Sequence, residues 1–407
     1  MAACSGSAAP PRAAGTPHAV WESPAVDGDV YASPLMVGGR VIVVTQHASV
    51  YAFDEAGGRL EWQVSLGTPV AAAGLPCGDV RPEVGALSRP VADAARGLLY
   101  VVVFLSPGRH QLFTLDLASG HIRDQRPVDP PGDSPYVEQQ RGALALGHGY
   151  VYVPYGGLLG DCGPYHGWLV GAPVGGGDLI SYQVPCGYGC GLWAPGGPTL
   201  DAAGNLWVAS GNSFSNTTFD HGNAVVKLSP DLRELGYFAP TNWAELNDAD
   251  ADLGSTSPVV LDSANLWISG KGGTGYIISA TNPGGVGGQR GAGALGCATW
   301  SGSAYQPPNL YLACTGDLVA VQVDIAAASF RVRWRSSMGR PGAPILAAGL
   351  LWNLETAFGK LVATDPAGGA LRWSLALGPV MHFATPAAGS GRIYAVGGQK
   401  LWSVATA

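Results

Sequence analysis

Apolar and polar positions recur along this chain as one cassette. A turn of small residues, usually holding proline, leads into an apolar strand, a polar turn and a second apolar strand that often runs into Gly and then Trp. The strand after the turn appears eight times: RVIVVTQ from Arg40, LLYVVVF from Leu98, YVYVPYG from Tyr150, NLWVASG from Asn205, NLWISGK from Asn265, NLYLACT from Asn309, LLWNLET from Leu350 and RIYAVGG from Arg392. Six are preceded by a proline, at Pro34, Pro90, Pro198, Pro258, Pro344 or Pro386; the third and sixth units, around Gly142 and Ser301, lack it. A period of about 50 residues with four short strands per unit predicts an all-β, eight-bladed β-propeller with four antiparallel strands per blade.

The first unit reads as strands SPLMVGG, RVIVVTQ, SVYAFDE and LEWQVSL between Ser33 and Leu66. The last unit, ATPAAGS, RIYAVGG and LWSVATA, supplies only three strands, while HAVWESPAV from His18 to Val26 is left over. That segment is expected to be the fourth strand of the last blade, which closes the ring and covers two sheet edges. Residues 1–17 are then a disordered tail or lipoprotein linker, and residues 18–407 form a single propeller.

Composition narrows the function. Charged residues make up 13% of the chain against 47% hydrophobic, with 61 glycines, which suits many buried strands joined by tight turns. A formal net charge of -7 with no Lys or Arg cluster excludes nucleic acid and anionic membrane surfaces as partners. No apolar stretch approaches the roughly 20 residues of a transmembrane helix. The start, MAACSGSAAPPRAAGTPHA, places Cys4 after two small residues and before a segment that cannot pack a core. It resembles the lipobox of bacterial lipoproteins with Met1 in place of Leu. The resemblance implies a true start further upstream, a signal peptide and lipidation at Cys4; the alternative is an ordinary tail with an incidental cysteine.

Without Cys4, six of the seven cysteines remain, an even number that fits an exported, disulfide-bonded protein. Cys297 and Cys314 end CATWSGSAYQPPNLYLAC, which reads as two neighbouring antiparallel strands and suits a cross-strand bridge. Cys186 and Cys190 form CGYGC, which permits a tight loop closure. Cys77 and Cys162 are the remaining pair. No CxxC recurs and His166 stands alone, which argues against zinc.

AFDEAGGRLEW from Ala52 and ATDPAGGALRW from Ala363 resemble the tryptophan-docking repeat of pyrroloquinoline quinone (PQQ) propellers, in which Ala-x-Asp-x-x-x-Gly precedes a Trp packed between blades. TLDLASGH is a degenerate copy. The resemblance covers the chain from about residue 18. The family includes quinoprotein dehydrogenases and non-catalytic assembly scaffolds, so it implies the fold more narrowly than the function.

The dehydrogenase motifs can be matched position by position. WAPGGPTLDAAGNLWVASGN resembles the pair in which a Trp, here Trp193, stacks beneath the quinone and an Asn, here Asn212, offers a carbonyl to the metal. GLLGDCGPYHGWLV resembles the segment with a metal carboxylate and points to Asp161. NDADADLGSTSP points to Asp250 as catalytic base, and GKGGTGYII to Lys271 as the contact to the quinone carbonyls. Asp252 shares a face with Asp250 if the segment is a strand, and resembles the extra ligand of lanthanide-accepting variants. The resemblance thus implies PQQ with Ca2+ or a lanthanide, oxygen ligands for a hard cation, a base for a hydroxyl proton, and a small alcohol as substrate.

Each residue also has a structural reading. Trp193 and Trp207 suit inter-blade packing, Asn212 a turn, Asp248, Asp250 and Asp252 an acidic surface loop, Lys271 a solvated turn, and His382 a hydrogen-bonded structural role. Where catalytic relatives carry a vicinal Cys-Cys, Cys77 is followed by Gly78, and long substrate-shaping loops are missing. The sequence therefore favours an extracytoplasmic, monomeric binding or assembly scaffold with a protein partner. The alternative is a PQQ-dependent alcohol dehydrogenase. Carbohydrate binding in the central funnel rests only on aromatic richness.

Overall fold

The computed structural model describes residues 15–406; Cys4, the candidate lipidation site, lies outside them. Eight antiparallel four-stranded units follow one another around a ring. The first comprises Leu35–Val37, Arg40–Val44, Ser49–Asp54 and Leu60–Ser65, and the second Val91–Asp93, Leu98–Leu105, Arg109–Asp116 and Ile122–Pro127. In the eighth, Ala387–Gly389, Arg392–Gly397 and Lys400–Ala405 are completed by His18–Glu22, paired antiparallel to Lys400–Ala405. The expected ring closure is therefore present. Short strands extend two blades: Glu138–Gln139 joins the third, and Gly285–Val286 adds in parallel to the fourth.

The apolar runs are unbroken because a blade is covered on both faces. In Leu98–Leu105, Leu99, Val101 and Val103 pack with Ile42 and Val44 of the first blade. Tyr100 and Val102 point the other way and pack with Val151, Val153 and Tyr155 of the third. A period of two thus buries every position when both neighbours are sheets. Outermost strands lack that double cover, and Ser329–Ser337 alternates exposed with half-buried residues along its whole length.

Tryptophans of the outer strands tie the first blade to the second and the sixth to the seventh. Trp62 of the first blade donates Nε1–H to Leu117 O at 3.2 Å in the second and lies over Gly120. Trp334 of the sixth donates to Pro366 O at 3.0 Å and covers Gly369 of the seventh. Gly120 has φ +72°, and a Cβ there would sit 2.5 Å from the Trp62 ring, so the docking requires glycine twice over. The Asp-x-x-x-Gly spacing followed by Trp is thus a lock between blades. Trp207 is fully buried and packs with Leu266 and Ile268 of the fifth blade, as its inter-blade reading anticipated.

All three expected cysteine pairs form: Cys77–Cys162, Cys186–Cys190 and Cys297–Cys314, with Cα separations of 6.0, 6.6 and 5.7 Å. Cys314 ends a strand and faces Thr299, while Cys297 lies just ahead of the neighbouring strand rather than within it.

Beneath the third blade lies a buried acid. Glu138 is 1% exposed and accepts the His166 N–H at 3.0 Å. Burial, and then the neighbouring Asp133, hold its carboxyl well above the ordinary carboxylate range. Asp133 in turn accepts from His166 Nδ1 at 2.9 Å and Trp168 Nε1 at 2.6 Å. A raised carboxyl pKa means that the folded state binds the proton more tightly than the unfolded state does. The stability linked to it is therefore complete below the unfolded value, about 4.3, and is lost as pH rises toward the folded value. Glu138→Gln should flatten this decline. Denaturant unfolding at pH 5 and pH 9 measures it; an unchanged slope would refute the assignment.

Candidate functional site

The segment after the fourth blade is not the strand that would place Asp250 and Asp252 on one face. It is a short helix, Trp243–Asp248, followed by Asp250 at φ +49° and a 3-10 turn, Leu253–Ser255. The cause is Asn247. Its Oδ1 accepts Ser213 N–H and Asn223 Nδ2, and its Nδ2 donates to Ser213 Oγ and Ser215 O. This buried amide staples the helix onto the loop after strand Leu206–Ala209, and the left-handed residue ends the helix. Asp252 then turns inward while Asp250 stays at the rim: their side chains are 4% and 67% exposed.

Lys271, in the turn between Asn265–Ser269 and Thr274–Ser279, meets both. Its Nζ is 2.5 Å from Asp252 Oδ2 and 3.1 Å from Asp250 Oδ1, and its main-chain N–H donates to Asp252 O at 2.9 Å. Asp252 Oδ1 also accepts the Asn212 N–H at 2.6 Å. Burial works to discharge Lys271, but the two carboxylates outweigh it and hold the ammonium above its ordinary pKa. Burial pushes the Asp252 carboxyl up, against the pull of Lys271 and the Asn212 N–H. The ammonium also stands 5.5 Å from the Trp193 ring centre and 5.4 Å from that of Trp300, within cation–π range. Trp193 lies 6.4 Å from Trp300 and 6.1 Å from Phe383.

The structure thus brings Trp193, Asn212, Asp250, Asp252 and Lys271 together. Asp161 is engaged elsewhere: its carboxylate accepts the Tyr165 hydroxyl at 2.6 Å. Burial, and then that bond, raise the Tyr165 phenol. The main-chain oxygen of Asn212 accepts the Cys190 N–H at 2.8 Å. Cys77 is bridged to Cys162, beside Asp161, rather than to a sequence neighbour. Among the described residues, no three His, Cys, Asp or Glu side chains gather into an ion site. PQQ with a hard cation needs carboxylates free to coordinate. Here Lys271 pairs with Asp250 and with Asp252, whose oxygens are both engaged, and the Tyr165 hydroxyl bonds Asp161. Asp161 and Asp250 each keep their second oxygen outside these bonds, so of the three only Asp252 would have to exchange a partner to coordinate an ion.

Sequence reading missed Trp300 and Phe383, which complete the aromatic surround of Lys271. Both lie on or just before the innermost strands of their blades, where no periodic signal marks them. His382 lines the axial cavity with its Nε2 3.0 Å from Asp79 Oδ2, so it faces the channel.

Among the described residues no helix is long and apolar enough to cross a membrane. Residues 14–155 match the family described as outer membrane protein assembly factor BamB. No curated protein matches the sequence. Among solved structures, quinohemoprotein alcohol dehydrogenase from Comamonas testosteroni is similar with a TM-score of 0.73 at 16% identity, covering 96% of this chain and 76% of that one. A europium-containing methanol dehydrogenase gives 0.71 at 14%, covering 96% and 93%. BamB from Moraxella catarrhalis gives 0.64 at 13%, covering 96% and 98%. At these identities the likeness is one of fold. The chain is thus an eight-bladed β-propeller, similar over residues 14–155 to the repeat of the matched family.

Proposed function

We propose that this propeller is an extracytoplasmic binding or assembly scaffold and not a dehydrogenase, tethered through Cys4 and working as a monomer on a protein partner. The observation that carries this reading is the Lys271 ion pair. The ammonium is the counter-ion of the buried Asp252 and also contacts the exposed Asp250, so a base or cation-holding role for Asp252 competes with that pair. Three disulfides support an oxidising compartment. The likeness to BamB, an assembly factor by name, supports a protein partner.

One observation favours the second reading, a PQQ- and Ca2+- or lanthanide-dependent alcohol dehydrogenase: Trp193, Asn212, Asp250, Asp252 and Lys271 converge from the fourth and fifth blades and the segment joining them. Titration with PQQ in the presence of Ca2+, and separately of La3+, distinguishes the two. A ligand at 100 times its Kd stabilises the native state by ~2.7 kcal/mol, which calorimetry detects. The scaffold reading expects no such shift and no dye-linked alcohol oxidation. A shift with either metal, lost in Asp250→Ala, would establish the enzyme instead.

A further inference from the structure

Among the described residues, every blade but the fourth leaves the edge of its outermost strand open; Gly285–Val286 covers that of the fourth. The sixth blade has the longest of these edges. Ser329–Ser337 runs nine residues, where no other outermost strand exceeds six, and it carries Arg331, Arg333 and Arg335, all exposed, and no acid. Its main chain pairs with Asp317–Asp324 on one side and with nothing on the other. In a chain of net charge -7 this strand runs against the overall sign.

Arg333 stands where two other blades hold a closed ion pair. The outermost strands of the second, sixth and seventh blades bulge at the same place, and the ladder skips Arg123, Arg333 and Arg372. On the facing strand, the residue that follows the bulge is Asp116 in the second blade and Asp365 in the seventh. Each bonds its arginine, Asp116 to Arg123 at 2.7 Å and Asp365 to Arg372. In the sixth blade that residue is Gln322, a neutral amide whose Oε1 accepts from Arg331 Nε at 3.1 Å and Nη2 at 2.8 Å. Among the described residues Arg333 makes no hydrogen bond or ion pair. Burial raises the Tyr311 phenol behind it, Arg333 works against that rise and Asp365 adds to it, and Asp365 is the acid that Arg372 already bonds. The blade's own acids are placed at the strand ends: Asp317 lies 3.6 Å from Arg335, and Asp324 accepts the Ala327 N–H at 3.0 Å. Arg331 and Arg333 thus carry charge that no carboxylate bonds.

We propose that the edge of Ser329–Ser337 takes up an extended acidic segment of a protein partner as a fifth strand of the sixth blade, with its carboxylates on Arg331 and Arg333. Main-chain bonds to an open edge supply the affinity and the arginines select the partner. A second copy of the same edge would set arginine opposite arginine, so the strand is guarded against self-pairing while open to an acidic one. This deepens the scaffold reading by giving its partner a chemistry. Its test involves neither PQQ nor Asp250, Asp252 or Lys271, so its failure leaves the scaffold reading to the PQQ titration.

Fluorescence anisotropy of the full chain with a labelled peptide of about seven residues, alternating Glu with Val and Thr, tests it. The controls are the same peptide with Gln for Glu, with Lys for Glu, and with its charge kept but proline interrupting the strand, which cannot pair. The acidic peptide should bind, each control at least about tenfold more weakly, and binding should slow hydrogen exchange within Ser329–Ser337. Arg333→Glu should weaken the acidic peptide by at least the same factor. Gln322→Asp is an independent variant: it restores the acid of the second and seventh blades, gives Arg333 an internal counter-ion, and should weaken the peptide with every arginine in place. No binding of the acidic peptide would leave the arginines as a guard on the edge and overturn the proposal. Equal binding of the proline peptide would mean adsorption of any polyanion and overturn it as well, as would undiminished binding by either variant or protection confined to another strand.

Discussion

Removal of residues 1–27 should destabilise the protein by about 5 kcal/mol or more, whereas removal of 1–16 should change it by less than about 0.5 kcal/mol. The difference lies in one strand. His18–Glu22 pairs from His18↔Ala405 to Glu22↔Trp402, and beyond it Ser23 N–H and Val26 N–H each reach the last blade at 2.8 Å, on Leu401 O and Gln399 O. Trp21 lies over Gly58 of the first blade and 5.8 Å from Tyr394 of the eighth. It is therefore the docking tryptophan of the eighth blade, in the role that Trp62 and Trp334 fill elsewhere, supplied from the opposite end of the chain. Without it the ring loses a half-buried Trp together with the strand pairing and both main-chain bonds, and exposes the edge of Lys400–Ala405. Equilibrium unfolding of the two truncations in denaturant measures this. Equal stability would mean that the ring does not depend on its closure strand.

What the sequence made legible follows from which forces are periodic. Strands such as Leu98–Leu105 sit between two sheets, so every position is apolar and the run is visible without knowing its neighbours. The Asp-x-x-x-Gly and Trp spacing was visible because the lock it forms recurs at three junctions, through Trp62, Trp334 and Trp21. The cysteine pairs were readable because two of them, Cys186–Cys190 and Cys297–Cys314, are local. The helix Trp243–Asp248 was not readable. It depends on one asparagine, Asn247, bonding Ser213 and Asn223 from a different part of the chain, and nothing within NDADADLG announces those partners. The spacing of Asp250 and Asp252 suggested a shared strand face, yet a left-handed residue sends one to the rim and the other to the interior. The axial cavity was illegible for a third reason. Arg89, Arg141 and His382 line it from separate blades and meet only because the ring brings every segment ahead of an innermost strand to one axis.

Lys271→Met should cost about 3–5 kcal/mol, although Lys271 is a single side chain in a turn. The reason is the charge it leaves behind. Asp252 would keep the Asn212 N–H but lose its counter-ion at 4% side-chain exposure, and an unpaired buried carboxylate is far more costly than the pair is stabilising. Asp250, 67% exposed, contributes little, so Asp250→Asn should stay within about 1 kcal/mol. The combination Lys271→Met with Asp252→Asn removes both charges, and the new amide oxygen can still accept the Asn212 N–H. It should therefore recover most of the loss. A double-mutant cycle read by denaturant unfolding gives the coupling directly, and losses that simply add would show that the two groups do not act as a pair. The same cycle bears on function. A strong coupling means that the ammonium and the buried carboxylate are committed to each other in the folded ground state, and any chemistry asked of Asp252 or Lys271 would first have to break that pair at about the same cost.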